Sequence, residues 1–220
     1  MKFKAAVITK KKKIEILDLE TQPLNDKQVL IKNYYSSLCK TQVDEWKGVR
    51  GNSKMFPNCF GHEAISKIVK VGKKVKSLKK DDLVCVSWIQ KNTEKAMGTK
   101  YIYKNKFINA GPVNTFSTYS VVFYNRLYKI SKKEFKKKTT LMGCAAFTSF
   151  NVILNNLTLR KNMKISIIGI GGLGLSCLLI LRQLGFKNLY AYDIENKKIK
   201  IARNEGFLNS FSSKKSNVIK

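Results

Sequence analysis

The sequence predicts an α/β plus β chain: a barrel- or sandwich-like unit of short strands, followed by the opening of a doubly wound parallel sheet. Three observations predict it. Up to Ile130 the apolar residues recur in short alternating runs separated by turn residues. Beyond Leu141 the period changes, and longer apolar segments alternate with short ones in the order β-α-β-α. Where the first of these strands meets its helix stands Gly169-Ile170-Gly171-Gly172-Leu173-Gly174.

Taken in order, residues 5–8 (AAVI) and 14–19 (IEILDL) read as a hairpin closed by the run Lys10–Lys13. Residues 28–38 (QVLIKNYYSSL) and 62–72 (HEAISKIVKVG) alternate and are rich in strand formers, with Gly72 ending the second. Asp81-Asp82 is a turn before the near-continuous apolar strand 83–89, and strands follow at 118–124 and 127–130. The polar stretch 90–112, with Gly98, Gly111 and Pro112, reads as an excursion loop. In the second half, 141–154 can be helical, 164–168 is a short buried strand, and 173–184 is an apolar helix ending near Gly185. A second strand (188–194) and a second helix (196–206, closed by Gly206) follow. The C-terminal FLNSFSSKKSNVIK is read as the start of a third strand.

The formal charge is +29, yet only five of the 43 basic residues are arginines (Arg50, Arg126, Arg160, Arg182 and Arg203). Nucleic-acid grooves and phosphate clamps favour the bidentate arginine fork. Lysines spread along the chain read as compositional bias, so no nucleic-acid partner is expected, and Lys136–Lys138 reads as a solvated turn. Residues 165–181 carry no charge, but four glycines interrupt them near their start, so a strand and a buried helix are expected there and no membrane partner. The N-terminus lacks an apolar leader core, and five scattered cysteines do not make a disulfide framework; both point to a reducing, cytoplasmic setting.

G-x-G-x-x-G is weak alone but here follows the strand KISII and opens a helix, the context the motif requires. Gly169 would make the tight turn, Gly171 and the neighbouring Gly172 would leave the backbone open to a pyrophosphate, and Gly174 would let helix and strand pack closely. The helix N-terminus offers N–H groups to phosphate oxygens. Asp193, nineteen positions beyond Gly174, can accept both ribose hydroxyls of NAD and would repel the 2′-phosphate of NADP. Lys198 is placed to flank the adenosine ribose. As alternatives, the glycines make a turn without a ligand, Asp193 caps the following helix, and Lys198 is a surface lysine.

His62, in CFGHEAI, is the only histidine. With Cys39 in SLCKTQ and Cys144 in LMGCAAFTSF it supplies the side chains zinc prefers, and three protein ligands with an open fourth position is the arrangement of catalytic zinc. The spacing is not a local pattern, so the residues leave both a zinc site and a structural role open.

These segments, in this order, resemble the zinc-dependent alcohol dehydrogenases of the medium-chain dehydrogenase/reductase superfamily, from Phe3 to about Phe211. The resemblance implies a GroES-like catalytic domain (residues 1–147) and the N-terminal part of a Rossmann NAD-binding domain (residues 148–220). It implies that Cys39, His62 and Cys144 are ligands of one catalytic zinc and that Glu63 is the acid beside the metal. It further implies that Thr41 passes on the substrate proton, Trp88 is an aromatic wall of the substrate pocket, and Thr148 packs near the nicotinamide. A small alcohol, aldehyde or ketone substrate and a homodimeric or homotetrameric intact enzyme go with the family.

Three departures stand out. Gln42 replaces an acid that in many relatives orients the ligating histidine; it can still accept a hydrogen bond but is neutral. A second histidine, often the end of the proton relay, is missing, which leaves Asp44 or water. Residues 90–112 hold no cysteine, so a structural zinc is not expected. A doubly wound sheet has about six strands and this chain supplies two and the start of a third, so a truncated, inactive remnant is one alternative. A zinc-free quinone or enone reductase of the same fold is another, and a basic binding module a third.

Overall fold

The computed structural model describes residues 1–49 and 56–214. Arg50 and the last residues of the C-terminal segment, 215–220, lie outside them. The chain divides into two compact units, Met1–Cys144 and Ala145–Lys220.

The first unit begins with the expected hairpin, β1 (Lys2–Lys10) and β2 (Lys13–Thr21), turned at Lys12 with φ 62°. Next come β3 (Gln28–Ser36), helix α1 (Lys40–Lys47), the two-residue β4 (Asn58–Cys59), β5 (Ala64–Val71) and β6 (Leu83–Val86). The unit ends with β7 (Thr99–Tyr103), β8 (Lys106–Gly111), β9 (Tyr119–Phe123) and β10 (Leu127–Lys129). Strands β1-β2-β7-β8-β4 close a barrel, and β10-β6-β5-β3-β9 form a five-stranded sheet. One core cluster gathers around Phe3, Leu19 and Tyr101, and a second around Ile31, Ile68 and Leu127.

Residues 90–112 are therefore not simply a loop. Their second half is the hairpin β7/β8, which closes the barrel against β2 and β4. Its tip is Lys104-Asn105, both at positive φ, the geometry of a two-residue hairpin turn, here without the Asn-Gly that usually announces one. Buried Tyr101, Ile108 and Ala110 supply the apolar face. Residues 90–98 remain irregular, held by Asn92 and Glu94 through Asn125, Tyr124 and Lys27.

Strand 83–89 is shorter than expected. It ends at Val86 because the backbone turns at Ser87, whose Oγ accepts the Ile89 N–H at 3.0 Å.

In the second unit α2 (Ala145–Asn151) occupies only the middle of the expected helix 141–154; the chain before it is a tighter 3₁₀ turn and that after it a wider π turn. Then come β11 (Ile165–Ile168), α3 (Gly172–Gln183), β12 (Leu189–Asp193), α4 (Asn196–Asn204) and β13 (Ser210–Ser212). The three strands are parallel in the order β11-β12-β13, which is half of a doubly wound sheet. Leu178, Leu181, Ala191 and Ala202 form its core. Among the described residues, no helix is long and apolar enough to cross a membrane.

Candidate metal and dinucleotide sites

The strand expected over 28–38 stops earlier, at Ser36, and Cys39 beyond it is the N-cap of α1. The Gln42 carboxamide, buried at position N3, accepts the Cys39 N–H through Oε1 at 2.9 Å. That is one half of a capping box, which fixes the first turn of α1 and the direction of the Cys39 side chain. Thr41 Oγ1 lies 3.6 Å from the Cys39 sulfur.

His62 sits just before β5, after Gly61, whose φ is +94°. A Cβ on Gly61 would lie 2.6 Å from Thr115 Oγ1 and 2.8 Å from Phe116 N, so only glycine lets this segment lie against residues 115–116. Behind it the Glu63 carbonyl accepts from Ser36 Oγ at 2.8 Å and from Thr115 Oγ1 at 3.2 Å. The His62 ring is fixed from the side by Gln42, whose Nε2 meets Nδ1.

Cys144 is delivered by a third segment. Gly143, just before it, packs so closely that a Cβ there would be 2.3 Å from Val86 O and 2.6 Å from Glu63 Cβ. Ser87 Oγ donates to Gly143 O at 2.7 Å. These contacts bring Cys144 to Cys39 and His62, and one ligand atom from each lies within 4.8 Å of the others. Burial pushes the Cys144 thiol up to about 12, with the charges of Glu63 and Cys39 adding to it, and the Trp88 side chain hydrogen-bonds it. Trp88 is otherwise half exposed. Glu63 is 2% exposed with Oε2 buried and unpartnered, and burial raises its pKa.

Two soft sulfurs and an imidazole nitrogen, with an orphaned carboxylate oxygen nearby, form a donor set that fits a divalent zinc-like cation. It is the only such cluster found among the described residues. Cys59 and Cys85 are buried and are not part of it, and burial pushes both thiols up to about 12, with the Glu63 charge adding to the shift at Cys85; Cys177 is half buried on α3.

In the second unit Gly174 meets the turn it faces: a Cβ there would be 2.0 Å from Gly169 O. By contrast a Cβ at Gly169, Gly171 or Gly172 would have nothing within 4 Å, leaving an open cradle over an α3 N-terminus that no side chain caps. This fits a phosphate-bearing ligand. Asp193, 5% exposed, accepts Ile170 N at 2.7 Å and Glu195 N at 2.8 Å. It is thus bound to the glycine loop as well as to the start of α4. Burial would raise its pKa, but these N–H groups and the Lys198 charge hold it below the ordinary carboxylate value. Lys198 pairs with Glu195 at 2.6 Å and lies 3.8 Å from Asp193. Thr148 is half buried on α2.

Residues 25–132 match the alcohol dehydrogenase GroES-like domain. Alcohol dehydrogenase class-P of Arabidopsis thaliana is 28% identical over 89% of this chain and 58% of its own length. The chain thus carries the GroES-like domain found in alcohol dehydrogenases. Its fold matches benzyl alcohol dehydrogenase of Acinetobacter calcoaceticus with a TM-score of 0.87 at 21% identity, over 99% of this chain and 65% of that one. It also matches Helicobacter pylori CAD, solved with NADP(H), with a TM-score of 0.79 at 20% identity over 98% and 66%. The chain spans about three-fifths of the length of the relatives it matches. Beyond the residues expected from the sequence, the structure adds Gly61, Ser87 and Gly143 as the groups that bring the candidate ligands together.

Proposed function

We propose that this chain is the metal- and dinucleotide-binding portion of a zinc- and NAD-dependent oxidoreductase that interconverts a small alcohol with an aldehyde or ketone. The observation that carries the reading is the convergence of Cys39, His62 and Cys144 within 4.8 Å. A zinc-free quinone or enone reductase has no need of that donor set.

Cys39, His62 and Cys144 would hold the zinc, which supplies Lewis acidity toward an alcohol or carbonyl oxygen. The cradle at Gly169, Gly171 and Gly172, with Asp193, Lys198 and Thr148, would hold the cofactor, which supplies the hydride acceptor. Asp193 is held in its ionised form by its N–H partners and the Lys198 charge, and an ionised carboxylate repels a 2′-phosphate, which favours NAD. Thr41 Oγ1, next to the Cys39 sulfur, takes the substrate hydroxyl proton and hands it outward. Trp88 walls the substrate side of the first unit, and Glu63 keeps a carboxylate close to the cation. Five free thiols fit a cytoplasmic setting. The intact enzyme is read as a homodimer or homotetramer.

The test is elemental analysis of the purified chain with titration by NADH and NADPH, followed by fluorescence. About one zinc per chain and a preference for NADH are expected. A folded, metal-replete preparation without zinc would refute the metal assignment, and a preference for NADPH the cofactor assignment.

A further inference from the structure

The Gln42 carboxamide is 2% exposed and has two faces in use. Oε1 accepts the Cys39 N–H at 2.9 Å, which locks the amide's orientation and turns Nε2 onto His62 Nδ1. An amide nitrogen only donates, so Nδ1 must accept, and the one proton of the neutral ring then sits on Nε2. A histidine that binds a metal through Nε2 needs the reverse: Nε2 bare and Nδ1–H donating to an acceptor. In that state Nδ1–H would face the amide N–H₂. Flipping the amide relieves this contact but sets N–H₂ against the Cys39 N–H. Either way two donors meet at an amide that is itself 2% exposed, an arrangement that leaves a polar group unsatisfied.

We propose that Gln42 is a positioning residue that holds His62 in the tautomer opposed to metal ligation, so that this cluster retains its metal more weakly than one with an acceptor in that place. The inference rests on the zinc reading above. A carboxylate of the same length accepts from Cys39 N–H and His62 Nδ1–H at once. It also preserves the capping box, which takes glutamate or glutamine alike at N3. Glutamate also adds a negative charge beside the cation, so the ring tautomer of the metal-free protein is what separates the proposed role from helix capping and from charge alone: only the proposed role fixes the His62 proton on Nε2.

The experiment is competition of the full 220-residue chain, wild type and Gln42→Glu, against a chromophoric zinc chelator at fixed pH. Circular dichroism establishes that both are folded. Outer partners of ligating histidines typically alter metal affinity about 10–100-fold, so Gln42→Glu is expected to bind zinc at least about tenfold more tightly. Equal or weaker binding by the folded variant overturns the proposal while leaving the zinc reading intact. Absence of zinc binding by both folded proteins overturns the two together. Whether or not the variant folds, the metal-free wild type decides the matter. Its single histidine makes the ¹⁵N spectrum of the ring unambiguous at a pH where the ring is neutral. An Nε2–H tautomer is expected, and an Nδ1–H tautomer overturns the proposal.

Discussion

Replacing Gly143 by alanine tests how the fold delivers Cys144. The new methyl would stand 2.3 Å from Val86 O and 2.6 Å from Glu63 Cβ, about 1 Å inside van der Waals contact. Neither neighbour can yield easily. Val86 is fully buried in β6, which pairs with both β5 and β10, and Glu63 is anchored through its carbonyl by Ser36 and Thr115. The segment bearing Gly143 must therefore move outward by about 1 Å, which stretches the 2.7 Å bond from the buried Ser87 hydroxyl. Overpacking of this kind costs about 1–3 kcal/mol, and a weakened buried hydrogen bond about 1 kcal/mol more. For a chain of this size that lowers Tm by about 4–16 °C. Cys144 moves with its neighbour, so zinc affinity falls by at least about tenfold. Thermal unfolding of the metal-free protein and chelator competition measure the two effects separately. A Gly143→Ala protein with wild-type Tm and wild-type zinc affinity would refute the close-approach argument.

Gly171→Ala is the counterpart on the other unit: its Cβ meets nothing within 4 Å and its φ of −84° suits alanine. Its stability stays within about 1 kcal/mol of wild type while NADH binding weakens severalfold, by fluorescence titration; undiminished binding would remove the cradle from the cofactor site. Cys144→Ser leaves the chain folded but abolishes stoichiometric zinc, whereas Cys59→Ser, outside the cluster, retains it; retention by both variants would sink the ligand assignment. Asp82 gives a pH signature. Burial alone would raise its pKa, but the hydrogen bond and charge of Lys129, 2.7 Å away, and the Lys79 N–H lower it below the ordinary aspartate value. Its contribution to stability is thus complete above the unfolded pKa of about 3.9 and disappears as pH falls through the lower folded value. Denaturant titrations should show Asp82→Asn less stable than wild type near neutrality, with the difference closing below that window; a difference independent of pH would contradict the assignment.

What the sequence made legible follows where side chains alone decide the structure. β3 and β5 were readable because both are rich in strand-forming residues, although each buries both faces at its start, over Gln28–Ile31 and Ala64–Ser66. The glycine fingerprint was readable because its strand and helix are contiguous with it. Helix α1 was not, since Gln42 is its only buried residue and KTQVDEWK carries no apolar stripe. It is held instead by its ends: the Gln42 amide at the N-terminus, and Gly48 in the left-handed conformation with its N–H on Asp44 and Glu45 carbonyls at the C-terminus. The hairpin β7/β8 was hidden by lysines and asparagines interleaved with its apolar positions and by a turn without glycine.

The candidate ligands show a different limit. Cys39, His62 and Cys144 are 23 and 82 residues apart, so no local period can join them, and only the order of surrounding motifs suggested their meeting. Their context does carry a physical signal at shorter range. Two of the three are preceded directly by glycine, and each glycine stands where a Cβ would strike another segment's backbone or a side chain rooted in it. Gly61 yields to residues 115–116, and Gly143 to Val86 and Glu63. A metal of short bond length demands that chains distant in sequence converge more closely than ordinary side-chain packing allows. Removing a side chain next to the ligand is one way to satisfy that demand. The third candidate ligand, Cys39, reaches the cluster from the N-cap of a helix, where the neighbouring amide of Gln42 fixes it. Gly-His and Gly-Cys are thus uninformative as spacing but interpretable as backbone approach once the opposing segments are known.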